Sequence, residues 1–191
     1  MVTESFEYVI MRSLIFSAAL LSVASATCAY PNNTATAVHM LECRRDAENQ
    51  IVIFDFVVKE QGKAVYPINS KVPFTVSLSS FNNGKPITGY TFNATIYGLK
   101  SDWADPTICV WKEMPTFVLL SNQNGCSWGK NCPLPPGDLD MLMEFDLSRI
   151  SPLPSIVFSD MPVQVFITMY NNSPGSKKEE IACVAAQMKI V

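Results

Sequence analysis

The feature that most constrains the fold is a repeated alternation of apolar and polar residues along the chain after Cys43. Successive side chains of a β-strand point to opposite faces, so such a run is typical of a strand with one buried face. Turn-forming sequences such as Asn82-Asn83-Gly84 separate the runs. No stretch after the N-terminal leader has a convincing helical period. The pattern predicts an all-β sandwich of two antiparallel sheets, with strands over 51–58, 64–68, 72–81, 90–99, 116–120, 139–147, 162–170 and 181–191.

The same alternation predicts which side chains face the space between the sheets. The strand over 51–58 is apolar on both faces apart from Asp55, and for it we take the even-numbered apolar positions as inward. Asn93 falls on the solvent-facing side of its strand. The predicted inward set is Val52, Phe54, Phe56, Val58, Phe74, Val76, Leu78, Phe92, Ile96, Met141, Met143, Phe145, Val163, Val165, Ile167, Val184 and Met188.

The N-terminus has the pattern of a secretory signal peptide. A short cationic start at Met11-Arg12-Ser13 precedes the apolar run 14–23, and Ala24-Ser25-Ala26 fits the small-x-small cleavage rule. Residues 1–26 are therefore predicted to be a signal peptide and residues 27–191 a single domain. Glu4 and Glu7 are atypical of a signal sequence, which indicates that translation can begin at Met11.

The cysteines and sequons agree with an oxidising destination, either the extracellular space or the lumen of the endolysosomal pathway. All six cysteines lie after the leader, and an even number predicts three disulfides, although spacing alone leaves fifteen pairings open. Three N-glycosylation sequons begin at Asn32, Asn93 and Asn171, and each predicts local exposure.

Charge and motif spacing argue against nucleic-acid binding, metal binding and catalysis. The formal net charge of -3 leaves no basic excess for a phosphate backbone. Residues 125–129 match the G-x-S-x-G of a hydrolase nucleophile elbow, but the elbow needs a histidine downstream of Ser127 and the only histidine is His39. The five-residue spacing of Cys126 and Cys132, without a second pair, does not fit a zinc knuckle.

Acidic residues near the predicted strand over 139–147 also raise the possibility of a glycosidase carboxylate pair. Asp140, Glu144 and Asp146 occupy the polar positions beside that strand's apolar face, so a solvated strand face explains them better. We predict a protein that is not an enzyme and needs no cofactor.

Two motifs carry a family resemblance. Cys126, five residues, then Cys132-Pro133-Leu134, followed by a polar turn and a strand, resembles a signature of the ML (MD-2-related lipid-recognition) family, which includes GM2-activator and Niemann-Pick C2-like proteins. The polar turn over 171–178 and Ile181-Ala182-Cys183, leading into a final apolar strand, are similar to the end of that family's domain. Cys28, Cys109 and the insertion over 101–115 are departures from the sterol-carrier branch.

The resemblance implies an immunoglobulin-like sandwich with a lipid-sized apolar cavity between its sheets. It also implies the disulfides Cys43–Cys183 and Cys126–Cys132, which leaves Cys28 with Cys109. The implied function is binding or transfer of a lipid, whether a glycolipid, phospholipid, fatty acid or sterol, and its presentation to another protein. Transient contact with a membrane surface and with a lipid-processing enzyme or receptor are further expectations. Apolar residues expected at the cavity lip are Phe81, Trp103, Trp111, Met114, Phe117, Trp128 and Phe158.

A rival interpretation keeps the same sandwich but closes its core. The inward residues would then pack at ordinary protein density, and the protein would be a secreted interaction or immune-recognition module.

Overall fold

The computed structural model describes residues 28–41, 43, 49–116, 119–129, 131–146 and 161–191. The predicted signal peptide lies outside these residues, as do Phe117, Phe158 and the end of the strand predicted over 139–147. In chain order the strands are β1 (His39–Leu41), β2 (Ile51–Glu60), β3 (Lys63–Ala64), β4 (Phe74–Asn82), β5 (Tyr90–Ser101), β6 (Cys109–Glu113), β7 (Gln123–Asn124), β8 (Gly137–Phe145), β9 (Pro162–Asn171) and β10 (Glu180–Lys189).

The strands form two antiparallel sheets, which confirms the predicted sandwich. Sheet A has the order β1-β10-β9-β5-β6, with the short β7 also paired to β5. Sheet B has the order β3-β2-β4-β8. A short helix, α1 (Gly125–Trp128), and a 3-10 turn (Pro31–Asn33) are the helical segments among the described residues.

A β-bulge in β2 corrects the predicted orientation of two side chains. Ile53 pairs with Ser80 and Asp55 with the adjacent Ser79, so one residue of β2, Phe54, has no partner of its own. The extra residue reverses the alternation, so Ile51 packs into the core before the bulge and Phe56 after it. Val52 and Phe54 are 49% and 61% exposed, and their prediction as inward residues was wrong.

Sheet A gains an edge strand where an insertion was expected. Residues Cys109–Glu113 form β6 against the end of β5, whereas the strand predicted over 116–120 is not formed at its described positions, and residues 119–120 lie in a turn. Pro115 supplies no N–H, and the backbone leaves the β6 ladder just before it. The strand predicted over 64–68 is likewise reduced to Lys63–Ala64.

Disulfides hold the N-terminal segment and one loop to the sheets. Cys28 is bonded to Cys109 at the start of β6, and Cys43 to Cys183 in β10. Cys126 and Cys132 close the loop after β7. These are the pairs that the family resemblance implies, and they leave no free thiol to act as a nucleophile or metal ligand.

Candidate functional site

The candidate site is the apolar space between the sheets. Most of the predicted inward set is buried there in one contiguous cluster. Its buried members are Phe56, Val58, Phe74, Val76, Leu78, Phe92, Ile96, Met141, Met143, Phe145, Val163, Ile167, Val184 and Met188. The sandwich therefore has a single interior to which both sheets contribute.

Val165 is an exception within this set. It lies in β9, the middle strand of sheet A, between Ile96 of β5 and Ala186 of β10. Its neighbours on the same strand face, Val163 and Ile167, are fully buried, yet Val165 is only partly buried. A central inward valine in a tightly closed sandwich would be excluded from solvent. Val165 is therefore the least covered of the inward residues of β9.

Several inward positions of sheet A have small side chains, and one of them, Ala186, is a direct cross-strand neighbour of Val165; the other neighbour is Ile96. Ala94, Gly98, Ala182 and Ala186 occupy inward positions of sheet A. Methionine, whose unbranched thioether adapts to irregular shapes, supplies Met169 and Met188 on sheet A and Met141 and Met143 on sheet B. Small side chains leave room, and methionines can move into or out of it.

Elsewhere an aromatic cluster joins the two sheets. The Phe92 ring of sheet A lies 6.5 Å from the Phe145 ring of sheet B, measured between centroids. The Trp128 indole of α1 packs on both, at 5.7 Å from Phe92 and 5.3 Å from Phe145. Trp128, predicted at the cavity lip, is therefore half-buried between the sheets. This part of the interior is filled by side chains.

The two glycines of the G-x-S-x-G motif have a packing role. A Cβ atom on Gly125 would lie 1.9 Å from Tyr90 Cε2, and one on Gly129 would lie 2.8 Å from the Tyr90 hydroxyl. Tyr90 is buried, and desolvation raises the pKa of its hydroxyl to about 12. Glycine is needed at both positions because α1 lies directly on the Tyr90 ring.

Ser127 and the histidine lie at opposite edges of sheet A. His39 is in β1, paired with Gln187, whereas Ser127 follows β7 on the exposed side of α1. Four strand spacings of about 4.8 Å separate β1 from β7, a distance of about 19 Å. Ser127 therefore has no histidine within reach to act as a base.

The loop closed by Cys126 and Cys132 connects the two sheets. Asn131 Oδ1 accepts a hydrogen bond from the Leu142 N–H of β8, and Gly129 forms a bridge to Met143. Leu134 is fully buried and exchanges two backbone hydrogen bonds with Ile87. The motif that carries the family resemblance is thus a structural clamp on β8.

The predicted lip residues are dispersed. Trp103, at the tip of the β5–β6 hairpin, is 87% exposed. Trp111 is half-buried on β6 opposite Leu99. Phe81 pairs with Val52 on the outer face of sheet B and is 40% exposed, so its placement at the lip was wrong. Met114 is only 4% exposed and packs with the buried cluster at the end of β5.

The three sequon asparagines differ in their contacts. Asn32 Nδ2 donates to Gln187 Oε1 at 2.8 Å, and the sequon's Thr34 is buried. Asn171 Nδ2 donates to Glu179 Oε1 at 2.7 Å. Asn93 is half-buried, and its Oδ1 accepts from the Asn122 N–H.

The side-chain amide nitrogen of Asn93 is more available for glycan attachment than those of Asn32 and Asn171. Its Nδ2 atom makes no hydrogen bond with the described residues, whereas Asn32 and Asn171 both use theirs. Occupancy of all three sites stays a prediction.

The described residues contain no helix long and apolar enough to cross a membrane. No protein-family model matches the chain, and no curated protein sequence matches it. Among solved structures it is similar to that of a Niemann-Pick type C2 protein from Japanese carpenter ant. The TM-score is 0.41 at 17% sequence identity, over 73% of this chain and 91% of that chain. A likeness this distant assigns no ligand.

Proposed function

We propose that this protein is a secreted or endolysosomal lipid-binding protein of the ML type, which holds an apolar tail between its two sheets. The observation that carries the proposal is Val165, which faces inward from the central strand of sheet A yet is incompletely covered. The small inward residues of sheet A and the methionines of both sheets support the same conclusion. No catalytic step is part of the proposal.

The energetics favour capture without chemistry. A tail of about sixteen methylenes contributes at most about 13 kcal/mol on burial, at about 0.8 kcal/mol for each group. A polar head group buried without partners would cost several kcal/mol. The tail therefore lies inside, and the head group stays at an edge of the sandwich.

The β5–β6 hairpin is the proposed point of contact with a membrane surface. Trp103 is its most exposed aromatic residue, and tryptophan favours the boundary between lipid and water. The hairpin is anchored by the Cys28–Cys109 disulfide and by a hydrogen bond that the Asp102 N–H donates to the Ile108 carbonyl. Adding liposomes should change the tryptophan emission of the wild type and of the matched control Trp111→Phe. It should leave the emission of Trp103→Phe unchanged.

A closed-core interaction module is the second candidate. The contacts among Phe92, Trp128 and Phe145 favour it, because they fill the space between the sheets at that place. Lipid binding requires room for an apolar tail over the middle of sheet A, whereas a closed core requires side chains to fill that space.

The deciding experiment combines native mass spectrometry with solvent extraction of the purified protein. Lipid binding predicts a co-purifying lipid, or uptake of added hexadecanoic acid. Val165→Phe should then fold normally and take up less lipid, whereas Thr95→Phe, on the outer face of the same sheet, should take up the wild-type amount. A lipid-free protein that takes up no added hexadecanoic acid would overturn the proposal. Val165→Phe would in that case overpack the core and lose about 1–3 kcal/mol of stability.

A further inference from the structure

The inner face of sheet A changes character at the end of β5. Inward positions of β5 are apolar up to Ile96, then Gly98 follows, and the next position on the same face is Lys100, which is exposed. On the neighbouring β6, Lys112 pairs with Gly98 and Val110 with Lys100. The apolar interior therefore ends at Gly98, which has Lys100 on the same strand and Lys112 opposite it on β6.

Two methionines cover Gly98 from the interior side. A Cβ atom on Gly98 would lie 2.7 Å from Met161 Sδ and 3.1 Å from Met114 Sδ. The same position is 3.6 Å from Lys100 Cε, so the lysine stem also folds back toward the glycine. Both methionines are buried. Flexible side chains thus meet over the one inward position of β5 that has no side chain.

The two lysines differ in their partners. Lys112 Nζ lies 3.7 Å from Asp102 Oδ1, so its charge is balanced within the protein. Lys100 makes no hydrogen bond or ion pair within the part of the chain that the structure describes. Among the described residues on this face of β5 and β6, Lys100 therefore carries the charge that has no partner. It lies directly outside Met114 and Met161, which cover Gly98.

The geometry points to this end of β5 as the mouth of the lipid site and to a lipid with an anionic head group, either a carboxylate or a phosphate, as its ligand. This inference rests on the proposed function. Lys100 binds the head group, and Met114 and Met161 move aside from Gly98 to admit the tail. A neutral head group would gain nothing from Lys100, so the site selects by charge as well as by apolar shape.

The test compares three probes with the same chain: hexadecanoic acid, hexadecyl phosphate and the neutral hexadecanol. Their affinities are measured by displacement of the neutral dye Nile red from the full-length secreted protein. The wild type should bind at least one of the two anions more tightly than hexadecanol. Lys100→Gln should reduce that preference by about two- to fivefold, the range of a partly exposed ion pair, while hexadecanol binding stays unchanged. Lys63→Gln, an exposed lysine on β3, is the matched control and should retain the wild-type preference.

The probes also distinguish a carboxylate head group from a phosphate head group. A preference confined to hexadecanoic acid indicates that the ligand is a fatty acid. A preference confined to hexadecyl phosphate indicates that it is a phospholipid. Gly98→Ala, whose added methyl group displaces the two sulfur atoms, should change the affinities of all three probes by a similar factor. If Gly98→Ala does not fold, Met161→Ala takes its place with the same expectation.

Three results would overturn the inference. Tight binding of all three probes without preference would reject the anionic head group while leaving the proposed function intact. An anion preference that survives Lys100→Gln would reject this mouth. Failure of the wild type to bind any probe would reject both this inference and the proposed function.

Discussion

The side chain of Asn131 binds the backbone of Leu142 as a neighbouring strand would. Its Oδ1 atom accepts the Leu142 N–H at 3.1 Å, and its Nδ2 atom donates to the carbonyl of Asp140, two residues earlier. Because β8 is the last strand of sheet B, these two hydrogen bonds occupy backbone groups that would otherwise face outward. Exposed strand edges template pairing with other chains, so Asn131 protects an edge as well as holding a loop.

Replacement of Asn131 should therefore reduce both stability and solubility. We expect Asn131→Ala to lose about 1 kcal/mol of unfolding free energy, since one partly buried and one exposed hydrogen bond disappear. Urea unfolding measures the loss, and analytical ultracentrifugation measures any self-association through β8. Asn83→Ala, at an exposed loop asparagine, should match the wild type in both. Equal behaviour of the two variants would show that the edge needs no such protection.

The bulge in β2 predicts opposite outcomes for two phenylalanines of one strand. Phe54→Ser should leave stability within about 0.5 kcal/mol of the wild type, because this ring lies on the outer surface. Phe56→Ser should cost about 3–5 kcal/mol, because its ring is in the core. Chemical denaturation of both variants settles the register. A larger loss for Phe54→Ser would mean that β2 alternates without the bulge.

Glycine at position 125 should be required, and serine at 127 should not. Gly125→Ala places a methyl group inside the Tyr90 ring, and we expect a loss of about 2–3 kcal/mol or failure to fold. Ser127→Ala removes only an exposed hydroxyl and should change neither stability nor lipid uptake. Thermal unfolding and the lipid-uptake measurement check both. Lipid uptake or any hydrolytic activity that depended on Ser127 would contradict this assignment.

Alkaline pH should weaken the fold through Tyr90. Desolvation raises the pKa of this hydroxyl to about 12, whereas an unfolded tyrosine ionises near pH 10. The resulting stabilisation is complete below about pH 10 and is lost as the pH rises toward about 12, because the unfolded state releases its proton first. Between about pH 9 and about pH 11 the wild type should lose about 1 kcal/mol more than Tyr90→Phe. Urea unfolding at both pH values tests this, and parallel losses in the two proteins would contradict it.

Most of the fold could be predicted because strand alternation is a local property. Phe74, Val76 and Leu78 in β4, and Met141, Met143 and Phe145 in β8, face the interior as the pattern requires. The errors arose where local pattern carries little information. β2 is apolar on both faces, so nothing in its sequence marks Phe54 as the extra residue of a bulge.

The candidate site was harder to predict than the fold. The sequence drew attention to aromatic residues in loops, whereas Trp128 fills the interior and Phe81 lies on an outer face. Gly98, Lys100 and Met161 attracted no attention, because each is unremarkable within its own segment. The alternation of side chains along β5 places Gly98 and Lys100 on the inward face, and this was the one signal in the sequence that pointed to them.

The amino-acid sequence by itself determined that this chain forms strands, which residues of β4, β5, β8, β9 and β10 point inward, and that its cysteines are even in number. These properties follow from side-chain alternation and composition, which need no knowledge of distant neighbours. Only the tertiary structure decided the bulge at Phe54, the edge strand β6, the clamp of Asn131 on β8 and the meeting of Met114 and Met161 over Gly98. Each of these depends on which strands become neighbours, and that choice is made by packing between residues far apart in the chain.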